Sequence, residues 1–126
     1  MEHGKRYLVL MKHQDRRVIK LAYWFNERNE NNWTYKAGFY PSPFYINPCQ
    51  NVIGYKEIPD LVTWGRNKVP VENEKYLAYR IGTSWIDDTP HYAIKKFHNG
   101  DFPNKDVKYW ISLKEIDFGW HEYKGE

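Results

Sequence analysis

Three short blocks of this sequence occur twice, in the same order. Lys5-Arg6-Tyr7-Leu8-Val9-Leu10 matches Glu74-Lys75-Tyr76-Leu77-Ala78-Tyr79. Val18-Ile19-Lys20 matches Ala93-Ile94-Lys95. Val52, Tyr55, Ile58 and Pro59 match Val107, Trp110, Leu113 and Lys114 at equal spacing. Any two aromatic-rich strands look alike, but three matches in one order are harder to reach by convergence. The pattern predicts a single domain over residues 1–126 with pseudo-repeat halves at roughly 1–62 and 63–126. Each half reads as a three-stranded meander, which is marginal alone. Two of them are expected to make a mainly β fold of antiparallel sheets, a small sandwich or barrel, with little helix.

The blocks fall in segments that read as strands. These are Tyr7 to Met11, Val18 to Phe25, Trp33 to Tyr40, Val52 to Tyr55, Tyr76 to Ile81, Tyr92 to Phe97 and Val107 to Ile111. Val18 to Phe25 is apolar on both faces except at Lys20, which predicts a central strand. Turn chemistry separates the segments at Asn26 to Asn32, Pro41-Ser42-Pro43, Asn99-Gly100-Asp101 and Pro103-Asn104. No window longer than ten residues holds a helical period. A short helix or 3₁₀ turn is predicted near Pro59 to Trp64, where Pro59-Asp60 can open one.

Composition supports strands and narrows the function. Six Trp, eleven Tyr and six Phe make 18% of the chain aromatic, which suits half-buried sheets and binding surfaces. The net charge is +3, from 19 basic and 16 acidic residues of scattered sign. No basic block marks a nucleic-acid arm, and Lys12 to Arg17 reads as a solvated hairpin with charged edges. Cys49 is the only cysteine. A lone cysteine allows no intrachain disulfide and fits a reducing compartment such as a cytoplasm. No stretch approaches the ~20 apolar residues of a membrane helix.

The second half resembles a short family of phage and prophage proteins, domain of unknown function 551. Members open with Trp, run to Leu-Pro-Glu, enter a strand like Val-Leu-Val-Tyr and close with Val-Thr-His-Trp-Met-Pro-Leu-Pro. The corresponding residues are Trp64, then Val69-Pro70-Val71-Glu72-Asn73-Glu74, then Tyr76-Leu77-Ala78-Tyr79. The closing motif stands as Val107-Lys108-Tyr109-Trp110-Ile111-Ser112-Leu113, with Lys114 in place of the last Pro and a short spacing from Trp64 to Pro70. The similarity covers residues 64–117, with a weaker copy of the closing motif at Val52 to Pro59. It implies a phage setting and a small β-rich fold. It implies no chemistry, and Trp64, Pro70 and Trp110 transfer only as fold-defining positions.

Motifs for catalysis are not found. The five histidines show neither the i, i+4 helical spacing nor His-x-His, and one cysteine cannot build a thiolate zinc site. Cys49 has no neighbouring base or helix N-terminus to lower its pKa and reads as a small half-buried residue. No nucleophile elbow or phosphate-cradling glycine loop is present. Asp87-Asp88 could bind Mg²⁺, though such a pair is more often a solvated turn. No cofactor is expected.

Rings interleaved with cations remain. Residues two apart on a strand share a face, so a ring and a nearby cation could hold a base and its phosphate. The residues expected to do so are Tyr23, Trp24, Tyr79, Arg80, Lys108 and Trp110. The stretch from Gly38 to Gln50, with three prolines and four rings, reads as a rigid recognition loop presenting Tyr40, Phe44 and Tyr45. The expectation is a phage-type, non-catalytic binding protein for a small anionic or nucleotide-like host signal. Its alternatives are a protein–protein antagonist of a host enzyme and a nucleic-acid accessory factor. A homodimer or higher oligomer is expected, because open sheet edges invite pairing.

Overall fold

Tyr7 to Leu10 has no polar side chain on either face of a pleated strand, so it satisfies the chain only from the middle of a sheet. The computed structural model describes residues 1–30, 33–42, 47–59, 69–81, 90–100 and 107–124. The protein is mainly β. Its strands are β1 (Arg6–His13), β2 (Arg16–Phe25), β3 (Arg28–Glu30), β4 (Trp33–Tyr35), β5 (Gly38–Tyr40), β6 (Val52–Lys56), β7 (Lys75–Ile81), β8 (Pro90–Lys96), β9 (Val107–Ser112) and β10 (His121–Glu122). Among the described residues there is one short helix, α1 (Leu113–Ile116), which follows β9. The expected turn at Pro59 to Trp64 lies, beyond Pro59, outside the described residues.

The chain divides into two compact units, Met1–Ile58 with Gly119–Glu126, and Pro59–Phe118. The C-terminal segment thus belongs with the first unit, unlike the halves read from sequence. The first unit holds a five-stranded antiparallel sheet in the order β10-β6-β1-β2-β5, and β3 pairs with β4 in a separate ribbon. Buried residues line both faces of β1, with Leu8 and Val9 at 0% exposure. Lys12 to Arg17 forms the exposed tip of the β1–β2 hairpin. The second unit holds a three-stranded sheet in the order β8-β7-β9, with Tyr76, Leu77, Ala78, Ile111 and Ile116 buried.

Neither sheet is a meander. In both, the first strand of the repeat lies between the second and the third, β1 between β2 and β6 and β7 between β8 and β9, which corrects the expected strand order. In each, the second strand pairs with one edge of the strand that has two apolar faces, and the third strand with its other edge.

The two cores are built on one scheme in detail. Leu8 pairs with Lys56, Leu10 with Gly54 and Met11 with Val52, so the register skips one residue after Leu10. Leu77 pairs with Ile111, Tyr79 with Tyr109 and Arg80 with Val107, which skips one residue at the same step. Both bulges bend the third strand where a second residue opposes one partner. The turn before each central strand also repeats. Lys5 N donates to Glu2 O, and Glu74 N to Val71 O, both at 3.2 Å. Gly4 N donates to Trp24 O, and Asn73 N to Phe97 O. Gly4 and Asn73 share a positive φ, which glycine adopts freely and asparagine tolerates. Asn26 N donates to His3 Nδ1, and Asn99 N to Glu72 Oε1.

Within this scheme the first and third sequence blocks align as written. The second is displaced by two residues, since Leu8 pairs with Leu21 and Leu77 with Ile94. The Tyr7 hydroxyl oxygen accepts from Glu2 N at 3.0 Å, and that of Tyr76 from Val71 N at 2.7 Å, each from five residues upstream. Tyr7→Phe is therefore expected to cost about 1 kcal/mol, and Tyr76→Phe more, because its hydroxyl also donates to Glu74 Oε2 at 3.1 Å. Urea titrations of the two variants would check this, and a Tyr7→Phe variant as stable as the parent would contradict the role of that turn.

Candidate functional site

On one face of the five-stranded sheet the rings gather into a cluster around Phe39. Alternation places Tyr7 and Val9 of β1 on the face of Ala22 and Trp24 of β2, Phe39 of β5 and Tyr55 of β6. The Phe39 ring lies 5.0 Å from Trp24, 5.1 Å from Tyr123, 5.8 Å from Tyr55 and 6.1 Å from Tyr7. Cys49, Met11 and Val52 pack against the same core. Burial pushes the Cys49 thiol up, so at neutral pH it is a protonated packing group.

Where this cluster reaches the edge of the sheet, the surface opens into a cleft of about 440 Å³. Its walls are Met1, Tyr7 from β1, Tyr55, Lys56 and Glu57 from β6 and the residue after it, and Gly119 and His121 from the C-terminal segment. His121 pairs with Tyr55 across β10 and β6, and their rings lie 5.3 Å apart, tilted by 34°. His121 is exposed and Tyr55 half-buried, so the imidazole forms the outer layer of the pair. Lys56 Nζ sits 5.6 Å from the centre of the Trp120 ring. Lys5 Nζ lies 5.3 Å from the centre of the Tyr7 ring and donates to Glu57 Oε1 at 2.6 Å. That bond holds the Lys5 ammonium above and the Glu57 carboxyl below their ordinary ranges. Both groups are solvated, so the pair orders the rim of the cleft more than it stabilises the fold. The cleft combines ring faces with the paired Lys5 ammonium and Glu57 carboxylate at its rim, while the Lys56 ammonium leans on Trp120 on the other face of the pleat. It can stack a flat ligand and meet a negative charge.

The residues expected to bind a ligand are dispersed. Tyr23 and Trp24 are neighbours on β2 and point to opposite faces. Trp24 packs in the cluster, and its Nε1 donates to Asn26 Oδ1 at 3.0 Å. Tyr23 lies under the Arg6 guanidinium at 5.4 Å and stacks on Phe25 at 6.2 Å, a cation–π arrangement internal to the fold. Tyr40 is 1% exposed and its hydroxyl donates to the Lys36 carbonyl, so it is a core residue and cannot stack a ligand. The stretch read as one recognition loop begins as strand β5, paired with β2 through Tyr23 and Tyr40. Phe44 and Tyr45 lie outside the described residues, as do Asp87 and Asp88.

In the second unit Tyr79 contacts Tyr92 at 5.3 Å and Tyr109 at 5.9 Å across the three strands. Trp110 is half-buried opposite Ala78, on the other face of that sheet. Arg80 and Lys108 are described by their backbone alone, Lys108 as the residue skipped by the β9 register.

Tyr55, Lys56, Glu57 and His121 were not among the residues expected from sequence. Tyr55 was within reach, because it matches Trp110 in the third repeated block. His121 gave no signal, since it stands apart from the other histidines and follows no strand pattern. Among the described residues no group of three His, Cys, Asp or Glu gathers to hold a metal ion. Among them no helix is long and apolar enough to cross a membrane. No protein-family model matches the chain, and neither a curated protein nor a solved structure is detectably similar to it.

Proposed function

We propose that this chain is a small non-catalytic binding protein that holds a nucleotide-like ligand in the cleft of the first unit. The observation that carries the reading is the layered pair of Tyr55 and His121 in the wall of the cleft. An exposed ring backed by a second ring offers a stacking surface, worth about 1–3 kcal/mol for a base. The Lys5 ammonium, which lies near the Tyr7 ring at the rim, is the cation that meets the phosphate. The high thiol pKa of Cys49 supports a role without covalent chemistry. The resemblance of residues 64–117 to a phage and prophage family suggests the setting. There the protein would sequester a signalling nucleotide in the cytoplasm of a bacterial host.

Thermal unfolding against a panel of nucleoside phosphates, bare nucleosides and inorganic phosphate tests the reading. A ligand at a hundred times its Kd adds about 2.7 kcal/mol of stability. His121→Ala should raise that ligand's Kd by about five- to a hundred-fold, the equivalent of one lost stack. Silence across the panel discards the nucleotide, and a stabilising ligand indifferent to His121→Ala moves the site elsewhere.

A further inference from the structure

The two sheets share one scheme, yet only one of them holds the C-terminal strand. β6 and β9 occupy the same place, each flanking the central strand and each skipping one residue at the same step. On the outer side of β6 lies β10, with His121 opposite Tyr55 and Glu122 opposite Gly54. Tyr123 N continues the pairing by donating to Ile53 O at 3.0 Å. Among the described residues β9 has no such neighbour.

The two third strands differ at the point of contact. A Cβ built on Gly54 would lie 3.3 Å from the His121 carbonyl oxygen, 3.3 Å from Trp120 Cβ and 3.7 Å from Leu10 Cβ. A methyl group there forces its neighbours to give slightly, and a larger side chain must displace the backbone of the tail. The counterpart of Gly54 in the second sheet is Tyr109, whose ring packs on Tyr79, the counterpart of Leu10. The room that admits Trp120 to the first sheet is taken by a phenol in the second.

We propose that Gly54 assigns the C-terminal strand to the first sheet, and that this strand is a clasp whose docking builds the cleft. Docked, it supplies Gly119 and His121 as one wall and Tyr123 to the ring cluster. Undocked, it leaves β6, with Tyr55 and Lys56, as an open sheet edge. Two residue pairs and one further amide are few bonds for a strand, so the clasp opens more readily than the sheet it closes. A molecule that touches His121 binds only the docked form and shifts the population toward it. The ligand's part in this rests on the function proposed above, and the assignment of the tail does not.

Amide hydrogen exchange at residues 121–123 tests it, in the full chain and in Gly54→Ala and Gly54→Tyr, with and without adenosine 5′-monophosphate as probe. Gly54→Tyr should speed exchange of the tail by at least about tenfold while β1 and β2 keep their protection, with Gly54→Ala between. The probe should slow the tail in the unmodified chain and leave it unchanged in Gly54→Tyr. A tail protected equally in all three chains overturns the proposal. If Gly54→Tyr does not fold, Gly54→Ala decides alone: faster exchange confined to the tail supports the clasp, and unchanged exchange overturns it. A tail freed by substitution but indifferent to the probe in the unmodified chain upholds the clasp and counts against that nucleotide as the ligand.

Discussion

Phe39→Ala is expected to destabilise the protein by about 3–5 kcal/mol, a large part of the 5–15 kcal/mol that keeps a domain folded. The side chain is 1% exposed, and its loss leaves a void that four rings cannot close. Those rings belong to β1, β2, β6 and the C-terminal segment, so Phe39 joins parts of the chain far apart in sequence. Three of the four contacts are edge-to-face, the geometry that adds about 0.5–1.5 kcal/mol per pair beyond burial. Phe39→Leu keeps much of the volume but none of these ring contacts, and should cost about 1–2 kcal/mol. Urea unfolding followed by tryptophan fluorescence would rank the variants. An alanine variant within about 1 kcal/mol of the parent would mean that the cluster is not the core of the first unit.

The sequence disclosed where the strands are better than which strands touch. The structure puts β1 and β7 in the middle of their sheets; Val9-Leu10 and Leu77-Ala78, apolar on both faces, carry the signal for that but were not read so. The same criterion pointed to Val18 to Phe25, which is indeed flanked on both sides, though its outer neighbour β5 covers only Tyr23 to Phe25. Neighbour order was misjudged because a strand's periodicity says which face a residue occupies and nothing about its partner. The two-residue displacement of the second block has the same root. An even shift leaves every side chain on its original face, so the pattern matches equally well in either register. Only the hydrogen-bonded turns, with Trp24 N on Lys5 O and Phe97 N on Glu74 O, distinguish them.

The site was less legible than the fold. Adjacent rings at Tyr23 and Trp24 suggested a joint surface, and the pleat separates them. Tyr40 sits among prolines that suggest a loop, yet its strand pairing buries it. Conversely, the wall formed by Gly119 and His121 comes from a two-residue strand, too short to carry any alternation. Its position follows from a glycine sixty-odd residues away, whose missing side chain is visible in the sequence but whose neighbour is not.

Leu77→Ala should cost about 2–5 kcal/mol, and its effect is expected to reach beyond the sheet that contains it. Leu77 is 0% exposed and pairs with Ile94 on one side and Ile111 on the other, at the centre of a sheet of only three strands. Its loss removes packing from both sides of the central strand at once, and the second unit should open. The first unit is discontinuous, with the second lying in sequence between Ile58 and Gly119. Once the intervening sixty or so residues are flexible, docking β10 on β6 must close a loop of that length, at about 3–4 kcal/mol of chain entropy. The clasp is held by two residue pairs, one amide bond and the packing of Tyr123, which is of the same order. Hydrogen exchange of Leu77→Ala should therefore show protection lost at β7 to β9 and at residues 121–123 together, whereas substitution of Gly54 frees the tail by a local clash. A tail that stays protected while β7 to β9 exchange freely would mean that its docking needs no help from the folded segment before it, and that the bonds to β6 are stronger than their number implies.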